Sequence, residues 1–199
     1  MKTRYLAACV IASSLVASPL ALAAPGGQTY NLKYKTALSV VNLGAEIDGA
    51  QYSLSANSFD DMDGVQQGSI FVSRFGIDPV LGYFVYSFMQ CSGPAFANKV
   101  IVNKSSGAAT VNAVLDPANP SCFAFNSTAL TVAITGTPTG SYARSDSGTT
   151  TFQYAGSMEK ASFQSDIFEM NFNGTIGYYT GAYSGNAETA KITQRVRVK

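Results

Sequence analysis

The chain of 199 residues contains no histidine and no tryptophan. Without an imidazole there is no Ser-His-Asp or Cys-His arrangement, no histidine-based zinc site and no ordinary proton shuttle. Most hydrolase classes fall away on that ground, and a catalytic thiol would have no histidine base. The missing indole weakens a sugar platform, although eleven tyrosines remain to stand in for it. Charge is also scarce, at 13% of residues. Gly, Ser, Thr, Asn and Tyr carry the polar surface instead, as expected of a secreted β-protein.

What is present begins with a leader. Lys2 and Arg4 form a short positive region, Leu6 to Leu22 are almost all apolar or small, and Ala21-Leu22-Ala23 offers small residues to a signal peptidase. Cleavage after Ala23 leaves residues 24–199 as a single domain. Ser13, Ser14, Ser18 and Pro19 interrupt the apolar run, and a membrane span needs about 20 predominantly apolar residues. Leu6-Ala7-Ala8-Cys9 is similar to a lipobox, but four residues separate Arg4 from Cys9. An apolar region of about 7–15 residues is needed before the cut, so Cys9 is ordinary leader sequence. The chain is expected to be exported, to periplasm or exterior.

Removing the leader leaves eleven basic and twelve acidic residues, a net charge of −1. This balance argues against a nucleic-acid binder, which would be clearly basic. A domain of that length buries roughly 70% of its unfolded surface, enough for a core without metals. Two cysteines remain, Cys91 and Cys122, and an even count in an exported chain predicts a disulfide. Two strand-like runs lie between them, Lys99 to Val102 and Thr110 to Leu115, joined by a Ser105-Ser106-Gly107 turn. A hairpin there returns the chain towards its start and brings the sulfurs together.

Apolar residues recur with period two, the mark of half-buried strands. Tyr30, Leu32, Tyr34, Leu38 and Val40 alternate with Lys33, Lys35 and Ser39; Leu130, Val132 and Ile134 share a face, as do Phe168, Met170 and Phe172. The run from Leu81 to Met89 is apolar on both faces, which predicts a central strand covered on both sides. Turn signals fall at Asp63-Gly64, Asp78-Pro79, Gly136 to Gly140, Ser145 to Gly148 and Asn173-Gly174. The expected fold is all-β: an antiparallel β-sandwich of about ten strands with one disulfide, or else a closed β-barrel. A small outer-membrane barrel fits the size and aromatic content, but the ending Val196, Arg197, Val198, Lys199 lacks the usual final aromatic.

Few residues form candidate sites. Asp60, Asp61 and Asp63 around Gly64 offer carboxylates for Ca²⁺, which takes about 6–8 oxygen ligands. The segment fails as an EF-hand loop, with Phe59 and Ile70 where acids belong, and a solvated turn is the plainer reading. Ser157-Met158-Glu159-Lys160 has the S-x-x-K spacing of penicillin-recognising enzymes without the partner motifs, and is expected to be a surface hairpin. Asp60, Asp61, Glu159, Asp166 and Glu169 are the acids available for glycoside hydrolysis, yet alternation separates Asp166 from Glu169. No cofactor is called for.

Two surface features complete the reading. Tyr178, Tyr179 and Tyr183 among four glycines offer a flat ligand-binding face, or aromatics that cover neighbouring glycines. Lys191, Arg195, Arg197 and Lys199 share one face of the last strand, either for an anionic partner or as a charged edge. The sequence predicts an exported, non-enzymatic binding or structural module, with a glycan or another cell-surface component as partner and no membrane association. A carboxylate-dependent hydrolase and an outer-membrane barrel are the alternatives.

Overall fold

The computed structural model describes residues 30–47, 49–60, 64–77, 82–140, 144–154, 157–177 and 179–198, with side chains omitted at residues 30–34, 144, 150, 152–154, 157–159 and 196–198. The expected leader, Asp61, Asp63, Tyr178 and Lys199 lie outside it. The described residues form eleven strands: β1 (Tyr30–Ile47), β2 (Ala50–Asp60), β3 (Gln66–Ile77), β4 (Phe84–Gly93), β5 (Val100–Val102), β6 (Ala109–Leu115), β7 (Cys122–Phe125), β8 (Leu130–Pro138), β9 (Arg144–Tyr154), β10 (Ser157–Ile176) and β11 (Tyr179–Val198). A six-residue 3₁₀ helix, Pro94–Lys99, joins β4 to β5.

All strands pair antiparallel in one sheet, in the order β5-β6-β8-β10-β11-β1-β2-β3-β4-β7. Strand β9 pairs with the same edge of β10 as β8, β8 along Met170–Ile176 and β9 along Ser157–Ile167. The sheet curls into a half-barrel. Strand β5 therefore packs against β1 and β2, five and six places away in the order.

The alternation sets what fills the curl. Val41 and Leu43 of β1 register with Ala56 and Leu54 of β2, which register with Ile70 and Val72 of β3, and those with Cys91 and Met89 of β4. Every one of these is buried. Val111, Val132, Ile134, Phe168, Met170 and Phe172 supply the opposite wall. The 3₁₀ helix lies inside the curl with Phe96 and Ala97 buried, and Ser58 Oγ donates to the Ala97 carbonyl.

The predicted disulfide is present. Cys91 and Cys122 stand directly opposite each other on β4 and β7, Cα atoms 4.0 Å apart. The hairpin between them forms as expected, with Asn103 N–H bonding the Ala108 carbonyl across the turn. Other expectations need correction. Ser145 to Gly148 lies within β9, Asn173-Gly174 within β10, and Gly136 to Pro138 within β8. These glycines serve close contacts rather than turns: a Cβ at Gly136 would strike the Phe172 ring and one at Gly148 the Phe163 ring. Ser157 to Lys160 is strand, not hairpin, and residues three apart on a strand lie on opposite faces.

The run at β4 is the largest correction. The strand lies one place from the sheet edge, and only one of its faces is covered. Phe84 and Tyr86 are exposed.

Gly174 tests the packing of β10 on β8. Its φ is +140°, and a Cβ there would come within 2.0 Å of the Ala133 carbonyl oxygen. Gly174→Ala is expected to cost about 2–4 kcal/mol from strain and overpacking together, read from urea unfolding. A cost below about 0.5 kcal/mol would show that β8 and β10 approach less closely.

Candidate functional site

Two surfaces stand out, on opposite faces of the sheet. The first is the outer face of β3, β4 and β7. Its register places Phe71, Ser73, Phe75 and Ile77 beside Gln90, Phe88, Tyr86 and Phe84, with Phe125 and Phe123 opposite Phe88 and Gln90. No charged residue occupies these positions.

Seven rings form one connected network. Phe88 is the hub, 5.9 Å from Phe71, 5.7 Å from Tyr86, 5.6 Å from Phe123 and 5.9 Å from Phe125. Phe75 extends it, edge-on to Phe84 at 4.7 Å and to Tyr86 at 6.3 Å. Ring pairs of this kind each add about 0.5–1.5 kcal/mol beyond area burial. The network is nonetheless open to solvent: Phe123 is 67% exposed, Phe84 56% and Phe75 50%. With Ile77, Tyr86 and Phe125 it leaves on the order of 650 Å² of large apolar residue uncovered. The largest apolar patch of an ordinary monomer is about 300–600 Å².

The sequence carried a signal for this face, in the aromatics at both parities of Leu81 to Met89 and the Phe123-Ala124-Phe125 alternation beside Cys122. Composition alone did not separate a strand buried on two faces from one that exposes aromatics on one.

The second surface is the concave face beyond the core. Strands β1, β11, β10 and β9 run on past the rest of the sheet as a four-stranded ribbon. Its core-side rows read Ser39-Thr189-Asp166-Ser145, then Ala37-Lys191-Gln164-Ser147, then Lys35-Thr193-Ser162-Thr149. The next row sets Lys33, Arg195, Lys160 and Thr151 side by side. Asp166 at the head of this floor is buried, accepts a hydrogen bond from Ser145 Oγ at 3.0 Å and meets Lys104 Nζ at 3.8 Å. A cavity of about 180 Å³ sits there, lined by Ser39, Val102, Lys104, Asp166, Thr189 and Lys191 among others.

Lys191 and Arg195 thus share the face expected of them, and register brings Lys35 and Lys160 to it. Arg197 pairs with Asn31 and Met158, its side chain being outside the described residues.

The tyrosine segment closes the other end of the core. Tyr183 is 4% exposed, packs edge-on to Tyr179 at 6.0 Å and donates its hydroxyl to the Tyr179 carbonyl. Burial first, then the neighbouring Tyr179, push its phenol up to about 12. Tyr179 is half-buried, lies 5.7 Å from Tyr52 and covers Gly181. Arg74 stacks over Tyr52. Asp60 ends β2 opposite Gln66, half-buried. Glu169 is exposed on the face away from Asp166. Among the described residues no three His, Cys, Asp or Glu side chains gather as a metal site.

No protein-family model, curated protein or solved structure matches the chain.

Glu188, on the convex side between Val40 and Ile167, has its carboxyl raised by burial, partly opposed by a hydrogen bond from Ser165. Its folded pKa lies above the unfolded value, so its contribution to stability is intact below about 4.5 and is lost as pH rises through the raised value. Glu188→Gln is expected to raise the melting temperature at about pH 7 and to leave it unchanged near pH 4. An equal gain at both pH values would show that the charge is not the cause.

Proposed function

We propose that the chain is an exported, non-enzymatic β-protein that works as a binding or structural module at the cell surface or outside the cell, and that it makes contact through the aromatic face of β3, β4 and β7. The exposed seven-ring network carries this reading. A soluble chain gains nothing by leaving such a surface bare, and aromatic residues dominate the energetics of protein interfaces. Phenylalanine offers no hydrogen bond, so the partner is an apolar protein surface, with Tyr86 supplying a hydroxyl. The leader and the bridge favour an oxidising compartment.

We read the curl as a two-layer arrangement of the sandwich kind, in which β5, β6 and β8 face β1, β2 and β3. The 3₁₀ helix supports this, since it packs on β2, β3, β4 and β6 together. The enclosed side is filled by Leu, Ile, Val, Met and Phe. An outer-membrane barrel has polar inward residues, so the filling favours a chain that packs its own core over a lipid-facing barrel.

Expression with the leader and cell fractionation test the reading. The wild type is expected to sediment with envelopes or extracellular material. The variant Phe84→Ser, Tyr86→Ser, Phe125→Ser is expected to lose on the order of 2–4 kcal/mol of contact energy and to be released free. Equal retention of the variant, with its melting temperature preserved, would remove the aromatic face as the contact surface.

A further inference from the structure

The charge on the ribbon calls for its own explanation. Lys35, Lys160, Lys191 and Arg195 are all exposed on the concave floor, and among the described residues no ion pair reaches any of them. Arg195 stands directly opposite Lys160 on β10, and the backbone register sets Lys33 opposite Arg195 on β1. Like charges opposed across an antiparallel pair have Cβ atoms about 4.5–5.5 Å apart and destabilise the sheet. The same fold would be better served by an acid in either place. Each successive row from Lys191 to Arg195 carries at least one cation, at a spacing of about 6.7 Å along the strands.

Around the cations the floor is built of hydroxyls: Thr193, Ser162, Thr149, Ser147 and Thr151. At its head Thr189 Oγ1 is buried without a hydrogen-bond partner, beside the cavity bounded by Lys104 and Lys191. We propose that this concave floor binds a linear acidic polysaccharide, with Lys35, Lys160, Lys191 and Arg195 on its carboxylate or sulfate groups and the threonine and serine hydroxyls on its sugar hydroxyls.

The floor itself selects this class of polymer. Single-stranded nucleic acid is held by aromatic stacking as well as charge, and the described floor residues include no ring. A membrane surface is held firmly where apolar anchors sit beside the cations, because cations alone contribute only about 1 kcal/mol each. On this ribbon the large apolar residues Ile192 and Phe163 occupy the other face, as their register with each other and not with Lys191 requires. The floor is a second surface, independent of the aromatic face.

The probes are fluorescent polygalacturonate, neutral dextran, single-stranded DNA and phosphatidylglycerol vesicles, each titrated with the leader-free protein at about 50 mM and about 500 mM NaCl. Polygalacturonate is expected to bind at low salt and be lost at high salt, and dextran not to bind. Lys160→Gln/Arg195→Gln is expected to weaken binding at least about tenfold, Lys160→Arg/Arg195→Lys to keep it, and Phe84→Ser/Phe125→Ser to leave it unchanged. The Lys160→Gln/Arg195→Gln variant is also expected to melt about 1–3 °C higher at low salt, since it relieves the like-charge pair. No polygalacturonate binding, binding unaffected by that variant, or tighter binding of DNA or vesicles would each overturn the proposal. So would loss of binding in the aromatic-face variant.

Discussion

Four residues, Cys122–Phe125, form the last strand of the sheet and pair with a single neighbour. Only Cys122 and Ala124 face the core there, and both are half-buried. So short an edge has little hydrophobic burial to hold it. The bond from Cys122 to the fully buried Cys91 supplies what is missing. Closing a loop of that separation stabilises a fold by roughly 3–4 kcal/mol in the chain-entropy model. It also fixes register, because directly opposed cysteines permit no slip of β7 against β4. Phe123 and Phe125 are thereby set over Phe88, and the aromatic face is complete only when β7 is in place.

The two surfaces share a single rule of construction. Each strand commits alternate residues to opposite faces, so the concave side of β1, β10 and β11 carries Val41, Phe168 and Ala187 in the core and Lys35, Lys160 and Arg195 beyond it. The change falls at the row of Ser39, Thr189 and Asp166, where Lys104 from the β5–β6 turn meets Asp166. Past that row no described residue forms a second layer over the ribbon, and Lys35, Lys160, Lys191 and Arg195 are exposed on the concave face. On the convex side the division runs between strands. Strand β2 presents Gln51, Ser53, Ser55 and Asn57, and Ser53 bonds Ser73 at 2.6 Å beside the aromatic field.

Much of this was legible in the sequence because period two is a local signal. Phe168, Met170 and Phe172 point inwards and Glu169 and Asn171 outwards, as their alternation requires. The cysteine pair followed from counting. The glycines were misread because a residue without a side chain suits both a turn and a close contact: Gly148 under Phe163 and Gly174 against Ala133 look locally like Ser-Gly and Asn-Gly turns. The cations on β11 were visible as a stripe, but Lys35 and Lys160 join them through pairing with distant strands, which composition does not encode. The aromatic face was hidden for the opposite reason. A strand apolar on both faces is ordinarily a central one, and only the sheet order places β4 beside a four-residue edge.

Hydrogen exchange resolved by residue, compared between the oxidised protein and Cys91→Ser/Cys122→Ser, tests the dependence on the bridge most directly. The β7 amides and their β4 partners at Phe88 to Cys91 are predicted to lose protection without the bond, while the paired amides of β1, β10 and β11 around Val41, Phe168 and Ala187 keep theirs. Equal protection of β7 in both proteins would contradict the account, because the edge and its aromatic face would then be held by packing alone.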